Sequence, residues 1–195
     1  MEILTAEGLS FTYPGSSTPA LQALELHVDA GEFLVLAGAS GSGKSTLLRQ
    51  FKPAMTPHGL RQGRILFRGA PLEALDARAA AEQIGFVQQD PADQLVTDKV
   101  WHELAFGLES LGLPSPVIRR RVAETAAYFG ISSWFEQRVD TLSGGQMQLL
   151  NLAAVMVMQP KLLLLDEPTA QLDPIAAEQF LATLARLNRD LGTTI

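Results

Sequence analysis

Apolar and polar residues alternate in two stretches near the start of the chain. Residues 2–12 and 22–28 show this alternation, and the turn-rich segment 13–17 separates them. A period of two is typical of strands with one buried face, and a turn between two such runs favours antiparallel pairing. The pattern therefore predicts an antiparallel β region near the N-terminus.

Short apolar runs alternate with longer amphipathic stretches through the rest of the chain. The run at 33–37 ends in a glycine-rich loop, which is typical of a buried strand that leads into a helix. Further strands are predicted at 64–67, 84–87 and 162–165, and helices at 46–51, 73–82, 144–158 and 174–191. Because strands and helices alternate here, a mainly parallel sheet is expected.

A helical region interrupts this alternation. From about 91 to 140 the pattern favours helices at 99–112, 116–129 and 132–137, which glycine and proline residues separate. No internal repeat or low-complexity tract marks a second domain. We therefore expect one α/β domain over 1–195, with an inserted helical subdomain at about 91–140.

Composition excludes several classes of function. The 195 residues are 47% apolar, enough for one core, and the formal net charge is −6 without a clustered basic excess. No nucleic-acid partner is therefore expected. The chain has no cysteine, which excludes disulfides and thiolate metal sites. It shows no signal-peptide pattern and no apolar run of the roughly 18 residues that a membrane helix needs. Any link to a membrane is expected to run through a partner.

The glycine-rich loop has the spacing of a phosphate-binding loop, G-x-x-x-x-G-K-[ST], between a predicted strand and a predicted helix. Glycines let successive N–H groups face an anion, Lys44 adds a positive charge at the β- and γ-phosphates, and the Ser45 hydroxyl is a ligand for Mg²⁺. A turn that merely connects strand to helix needs neither of those two side chains. The predicted ATP-binding residues are Gly38, Ala39, Ser40, Gly41, Ser42, Gly43, Lys44, Ser45 and Thr46.

Two carboxylates follow the apolar run at 162–165. Asp166 and Glu167 are adjacent on an extended segment, so their side chains point in different directions. Asp166 is predicted to hold Mg²⁺, and Glu167 to polarise the water that attacks the γ-phosphate. A solvated strand end before Pro168 is the alternative, and the presence of the phosphate loop favours the catalytic interpretation.

The segment Leu142-Ser143-Gly144-Gly145-Gln146 resembles the signature of the ABC family of ATPases. It offers a serine hydroxyl and glycine N–H groups at a predicted helix start, which is a second anion site. The alternative is that the segment is only a well-capped helix start without a binding role. In ABC proteins two domains pair head to tail, so the resemblance implies that Ser143, Gly144, Gly145 and Gln146 cover the nucleotide of a second ABC domain. That domain belongs to a homodimer, a heterodimer or a tandem fusion.

Other positions match further landmarks of the family. Tyr13 matches the aromatic residue that stacks on adenine, although a core aromatic is the alternative. Gln89 matches the glutamine that reaches Mg²⁺ and the attacking water, with Gln88 as the alternative register. Residues 170–173 match the loop through which paired domains sense each other, and Asp173 is also expected to cap the next helix. Met147, Gln148 and Leu149 replace basic residues that relatives carry after the signature.

Residues 89–95 and 103–108 resemble the ATPase subunits of energy-coupling factor importers, and 96–103 resembles a branch with tandem ATPase domains. This resemblance implies a motor for uptake of a vitamin or transition metal. It also implies a transmembrane partner that docks on 90–113 and a peripheral location at the cytoplasmic membrane face. Trp101 and Phe106 are core aromatics in the simpler interpretation, and lone His102 is expected at the surface or in a cap.

Two other classes compete with the transport motor. One is an ABC ATPase that acts on nucleic acid or the ribosome, and the other is a regulatory domain that binds ATP without hydrolysing it. The span between Gln89 and Ser143 is too short for a long coiled coil, and Glu167 argues against an inert site. Relatives continue beyond Ile195 into a strand that leads to a switch histidine. These residues alone are therefore expected to bind MgATP and to hydrolyse it poorly.

Overall fold

The computed structural model describes residues 1–195. Its first sheet is antiparallel and has the strand order β2-β1-β3-β4. The strands are β1 (Glu2–Thr12), β2 (Leu21–Asp29), β3 (Leu60–Phe67) and β4 (Ala70–Pro71). The N-terminal antiparallel region is therefore confirmed, and the strand predicted at 64–67 begins four residues earlier because Leu60 to Gln62 pair with the end of β1.

The second sheet is parallel and joins β5 (Ile84–Val87) to β6 (Leu162–Leu165). The register runs from Ile84 opposite Leu162 to Val87 opposite Leu165. Both strands lie where the apolar runs predict them. Their carboxyl ends meet at one edge of the sheet, so the residues that follow β5 lie beside the acids that follow β6.

The predicted strand at 33–37 is wrong. The structure assigns no strand there, and the side chain of Val35 is 72% exposed. The segment pairs with only one residue: Leu34 N–H donates to the Ile195 carbonyl, and Ile195 N–H donates to the Glu32 carbonyl. An apolar run becomes a strand only when neighbours satisfy its backbone groups, and one partner residue does not form a ladder.

Six α-helices complete the fold, and most follow the sequence pattern within two residues. They are α1 (Lys44–Gln50), α2 (Ala77–Gln83), α3 (Val100–Ser110), α4 (Ser115–Phe129), α5 (Gly144–Met156) and α6 (Pro174–Leu191). The side chain of Asp173 caps α6 by accepting hydrogen bonds from Ile175 and Ala176 N–H, as expected.

Two predicted helices are corrected. The helix predicted at 73–82 divides into a 3₁₀ turn at Leu72–Ala74 and α2, because Asp76 accepts from Ala79 N–H and starts a new helix. The helix predicted at 132–137 is only a 3₁₀ turn at Ser132–Trp134. The carbonyls of Phe135 and Gln137 instead accept hydrogen bonds from the first N–H groups of α3.

Two clusters of buried side chains form the interior. One joins the antiparallel sheet, α1, β5 and β6, and the other joins α3, α4, α5 and α6. The helix α5 is central to the second cluster, since Leu150, Leu152 and Ala153 are fully buried. No helix of the protein is both long enough and apolar enough to span a lipid bilayer.

Candidate nucleotide-binding site

The loop 38–43 turns sharply into α1. Gly43 takes a φ of 93° before the helix, and a Cβ there would lie 2.6 Å from the Ala20 carbonyl oxygen. Only glycine fits such a position without displacing the neighbouring backbone. The loop therefore holds Lys44 and Ser45 at the first turn of α1, with its own residues exposed for a ligand.

The Ser45 hydroxyl donates to Oδ1 of Asp166 at 2.6 Å. Asp166 is 4% exposed, and its N–H donates to the Val87 carbonyl at 3.0 Å, which fixes the acid at the end of β6. Mg²⁺ in nucleotide sites takes oxygen ligands from one or two side chains and from phosphates. The adjacent hydroxyl and carboxylate fit that requirement, although no cluster of three or more acidic or histidine side chains is present.

The Lys44 ammonium lies between the loop and Glu167. It donates to the carbonyls of Gly38 and Ala39, each at 3.0 Å, and lies 3.7 Å from Oε1 of Glu167. Glu167 has a φ of 45°, which is unusual for a residue with a side chain and more so before a proline. Such a conformation is held by its surroundings and recurs at functional sites.

Tyr13 lies at the other side of the same loop. Its hydroxyl is 3.0 Å from Oγ1 of Thr46, and its ring meets Phe11 edge to face at 4.9 Å between centroids. At 38% exposed, Tyr13 is not the core aromatic of the alternative interpretation. The partly exposed ring beside the loop is therefore open to the aromatic contact that the sequence predicts for it.

Gln89 follows β5 and is exposed, whereas Gln88 is half-buried and donates its N–H to Gln94. Gln89 lines a cavity of about 250 Å³ that also reaches Pro168, directly after Glu167. Gln88 does not line that cavity. This placement favours the Gln89 register, since Gln89 shares a cavity with the residue that follows Glu167.

The signature segment lies at the exposed start of α5. Ser143 Oγ accepts from Gln146 N–H at 3.3 Å, and the Gln146 side chain accepts from Ser143 N–H at 2.8 Å. This reciprocal pair is a capping box. Ser143 and Gly144 are exposed, and they lie apart from the phosphate loop that Lys44 and Ser45 complete. The protein therefore has two separate helix starts at which the sequence predicts anion binding.

Three site-supporting residues went unrecognised in the sequence: Gln94, Glu103 and Asn151. The Gln94 amide donates to the Phe86 carbonyl and accepts from Gln88 N–H and from Asn151 of α5. Glu103, 5% exposed, accepts from the N–H groups of Val96 and Thr97. The one signal in the sequence is Glu103, because an acidic residue among the apolar positions of a helix needs a hydrogen-bond partner once it is buried. The sequence does not show which groups are that partner.

The structure agrees with some of the remaining predictions for aromatic residues and histidine and disagrees with one. Trp101 is half-buried and packs edge to face on Phe135, with 5.5 Å between ring centroids. Phe106 is 48% exposed and is not a core residue, because it lies on the outer face of α3. His102 is at the surface, as predicted, where Nδ1 lies 3.0 Å from the Asp98 carboxylate.

A glycine-rich phosphate-loop motif, with a serine at the start of α1 that is hydrogen-bonded to the acid after β6, places this chain among the P-loop nucleotide-binding proteins. The sequence model described as ABC transporter matches residues 21–170. Since the match covers most of the chain, the protein belongs to the ABC transporter family of ATP-binding proteins, and the predicted family is confirmed.

Curated relatives agree with this assignment. The chain is 42% identical to an energy-coupling factor transporter ATP-binding protein of Symbiobacterium thermophilum, over 98% of this chain and 69% of the relative. It is 55% identical to a putative ABC transporter ATP-binding protein of Bacillus thuringiensis, over 96% of this chain. The chain spans about a third of the length of that relative and of similar ones, 34% in each case.

Solved structures have the same fold. The CbiO1 protein of Clostridium perfringens, part of the ABC transporter complex CbiONQ, superposes with a TM-score of 0.87 at 36% identity. That match covers 100% of this chain and 76% of CbiO1. An ATP-binding cassette in a dimeric, post-hydrolysis state with ADP and Pi gives a TM-score of 0.82 at 25% identity, over 98% of this chain and 85% of that one. The predicted P-loop fold of ABC type is thereby confirmed.

Proposed function

We propose that this chain binds MgATP and hydrolyses it to power an importer. The observation that carries the proposal is the convergence of Lys44, Ser45, Asp166 and Glu167 at the carboxyl end of β6. In this arrangement the loop N–H groups and the Lys44 ammonium bind the β- and γ-phosphates. Ser45 and Asp166 hold Mg²⁺, which neutralises phosphate charge when it is bound.

The Glu167 carboxylate acts as the general base. It accepts a proton from water while the water oxygen forms a bond to the γ-phosphorus, and the bond from that phosphorus to the ADP oxygen breaks. Gln89, which lines a cavity with Pro168, orients this water in the proposed mechanism. ADP and inorganic phosphate are the products.

A second ABC domain completes the site in this proposal. Ser143 and Gly144, which are exposed, and Gly145 and Gln146, which are half-buried, cover the γ-phosphate held by the partner's phosphate loop. A transmembrane subunit docks beside α3 and receives the motion, and the protein lies at the cytoplasmic face of the membrane, where ATP is available. The relationship to energy-coupling factor ATPases supports a vitamin or a transition metal as the cargo.

The substitution Glu167→Gln tests the proposal in the full-length protein. We expect hydrolysis to fall at least about a hundredfold, the usual scale for a positioned base, while calorimetry shows MgATP binding retained. Glu178→Gln is the matched control, because Glu178 is an exposed acid on α6. A Glu167→Gln protein that hydrolyses ATP at the unmutated rate would remove Glu167 from the mechanism. Binding without turnover in the unmutated protein would instead favour a regulatory domain.

A further inference from the structure

We infer that Gln148 is a positioning residue for Glu167 and that it links the signature helix to the catalytic base of the same chain. The inference rests on the proposed role of Glu167 as general base. Gln148 lies in α5, and its side-chain Nε2 donates to the Pro168 carbonyl at 2.8 Å. That carbonyl belongs to the residue directly after Glu167.

The side chain of Gln148 is well placed for this task because it is 1% exposed and water does not compete for its bond. Its Oε1 has no protein partner, so the bond to Pro168 is the only hydrogen bond that the side chain makes. Burial of an amide is unfavourable unless a bond compensates for it, and an apolar side chain would fill this position at lower cost. The amide therefore serves the Pro168 contact rather than the packing of α5.

Glu167 needs such support because its backbone is in the left-handed region, with a φ of 45°. Three hydrogen bonds hold the backbone of residues 166–168. Asp166 N–H donates to the Val87 carbonyl at 3.0 Å, Ala170 N–H donates to the Glu167 carbonyl at 3.1 Å, and Gln148 fixes the Pro168 carbonyl. The first two bonds lie within the acid loop and β5, and only the third reaches the signature helix. Loss of the third bond frees the peptide between Pro168 and Thr169, which loosens the segment that carries the Glu167 carboxylate.

The position of Gln148 along α5 provides the link. It lies one helical turn beyond Gly144, on the same face of the helix, and both residues line the cavity that Gln89 and Gln171 also line. A nucleotide of the partner domain that contacts the start of α5 therefore shifts the amide that holds Pro168. The α5 helix thus connects two sites: the partner domain's nucleotide, which its start contacts, and Glu167, the general base for the nucleotide bound by the same chain.

The test uses Gln148→Met in the full-length protein, because methionine keeps the length and flexibility of glutamine without the donor. A displaced base lowers kcat, and we expect a loss of roughly tenfold to a hundredfold, the scale of a misplacement of about 1 Å. MgATP affinity by calorimetry and the melting temperature stay close to those of the unmutated protein. Gln148→Leu provides a second apolar variant with the same expectation.

Gln50→Met is the matched control. Gln50 is also a fully buried glutamine, but neither of its amide atoms has a partner, so its substitution breaks no hydrogen bond. It should leave kcat unchanged. If the Gln148 variants lose stability and binding in proportion to activity, Gln148 only supports the fold and the inference is overturned.

Single-turnover rates of the double variant Glu167→Gln with Gln148→Met separate this inference from the proposed function. If Gln148 acts through Glu167, its substitution causes no further loss once the base is absent. If the rate loss in the double variant equals the product of the losses in the two single variants, the two residues act independently and the inference is overturned. An unchanged kcat in Gln148→Met alone would also overturn it. A normal rate in Glu167→Gln alone would instead overturn the proposed function.

Discussion

Lys44 holds the main positive charge at the phosphate loop of a protein whose formal net charge is −6. Its ammonium bonds to two loop carbonyls and lies 3.7 Å from Oε1 of Glu167. These groups keep the side chain pointed at the loop, so little reorganisation is needed when phosphates arrive. A lysine held in this way contributes to affinity through charge and through preorganisation.

Lys44→Ala should abolish or severely weaken MgATP binding, because the triphosphate then faces an acidic protein with no fixed cation in the loop. Calorimetric titration measures the effect. Lys161→Ala is the control, since Lys161 is exposed and its removal lowers the net charge equally. Equal affinity in the Lys44→Ala protein would contradict the phosphate-loop assignment.

At the scale of elements, the segment between β5 and α3 depends on bonds that reach it from two helices. Gln94 bonds to both β5 and Asn151 of α5, and Glu103 of α3 accepts from two N–H groups of the segment. The path of the Gln89 loop is therefore set by α3 and α5 as much as by its own sequence.

Glu103→Ala should lower the free energy of unfolding by about 1 to 3 kcal/mol, because two N–H groups at a buried site lose their acceptor. Urea denaturation followed by circular dichroism gives this value. Glu109→Ala is the control on the same helix, since Glu109 is exposed. The same small change in both variants would show that the Glu103 carboxylate does not hold this segment.

The sequence predicted those elements whose determinants are local. Alternating apolar and polar residues predicted β1 and β2, and the run of leucines predicted β6. Asp173 and Pro174 predicted the start of α6. The prediction failed at 33–37, where the outcome depends on which distant backbone pairs with the run. The motifs likewise identified the residues that converge at β6, whereas the roles of Gln94, Glu103 and Gln148 depend on partners that sequence spacing does not specify.

At the scale of the whole molecule, exposed apolar residues lie on the face where a transmembrane subunit is proposed to dock. Val96 is 62% exposed and Phe106 48% exposed, on the segment where the family resemblance implies contact with a membrane subunit. Large exposed apolar side chains of this kind suit contact with a protein partner.

Phe106→Cys should crosslink to a membrane protein when the full-length protein is purified with its membranes, because this side chain lies on the proposed docking face. These 195 residues contain no cysteine, so a single introduced thiol within them reports on one position. Ala77→Cys is the control, since Ala77 is exposed at the start of α2, outside that face. Crosslinks from Phe106→Cys to ribosomal protein or nucleic acid would favour a function outside transport.

The capping box at α5 determines which donors remain for an anion. The Ser143 oxygen accepts from Gln146 N–H, which leaves the hydroxyl hydrogen free to be donated outward. The N–H groups of Gly144 and Gly145 have no acceptor within the helix because they belong to its first turn. Gln146, through its bond to Ser143 N–H, fixes the geometry of this three-donor set before any phosphate is present. The helix start therefore presents its donors in one fixed geometry, so a contact made there displaces α5 as a unit, together with the Gln148 amide one turn further on.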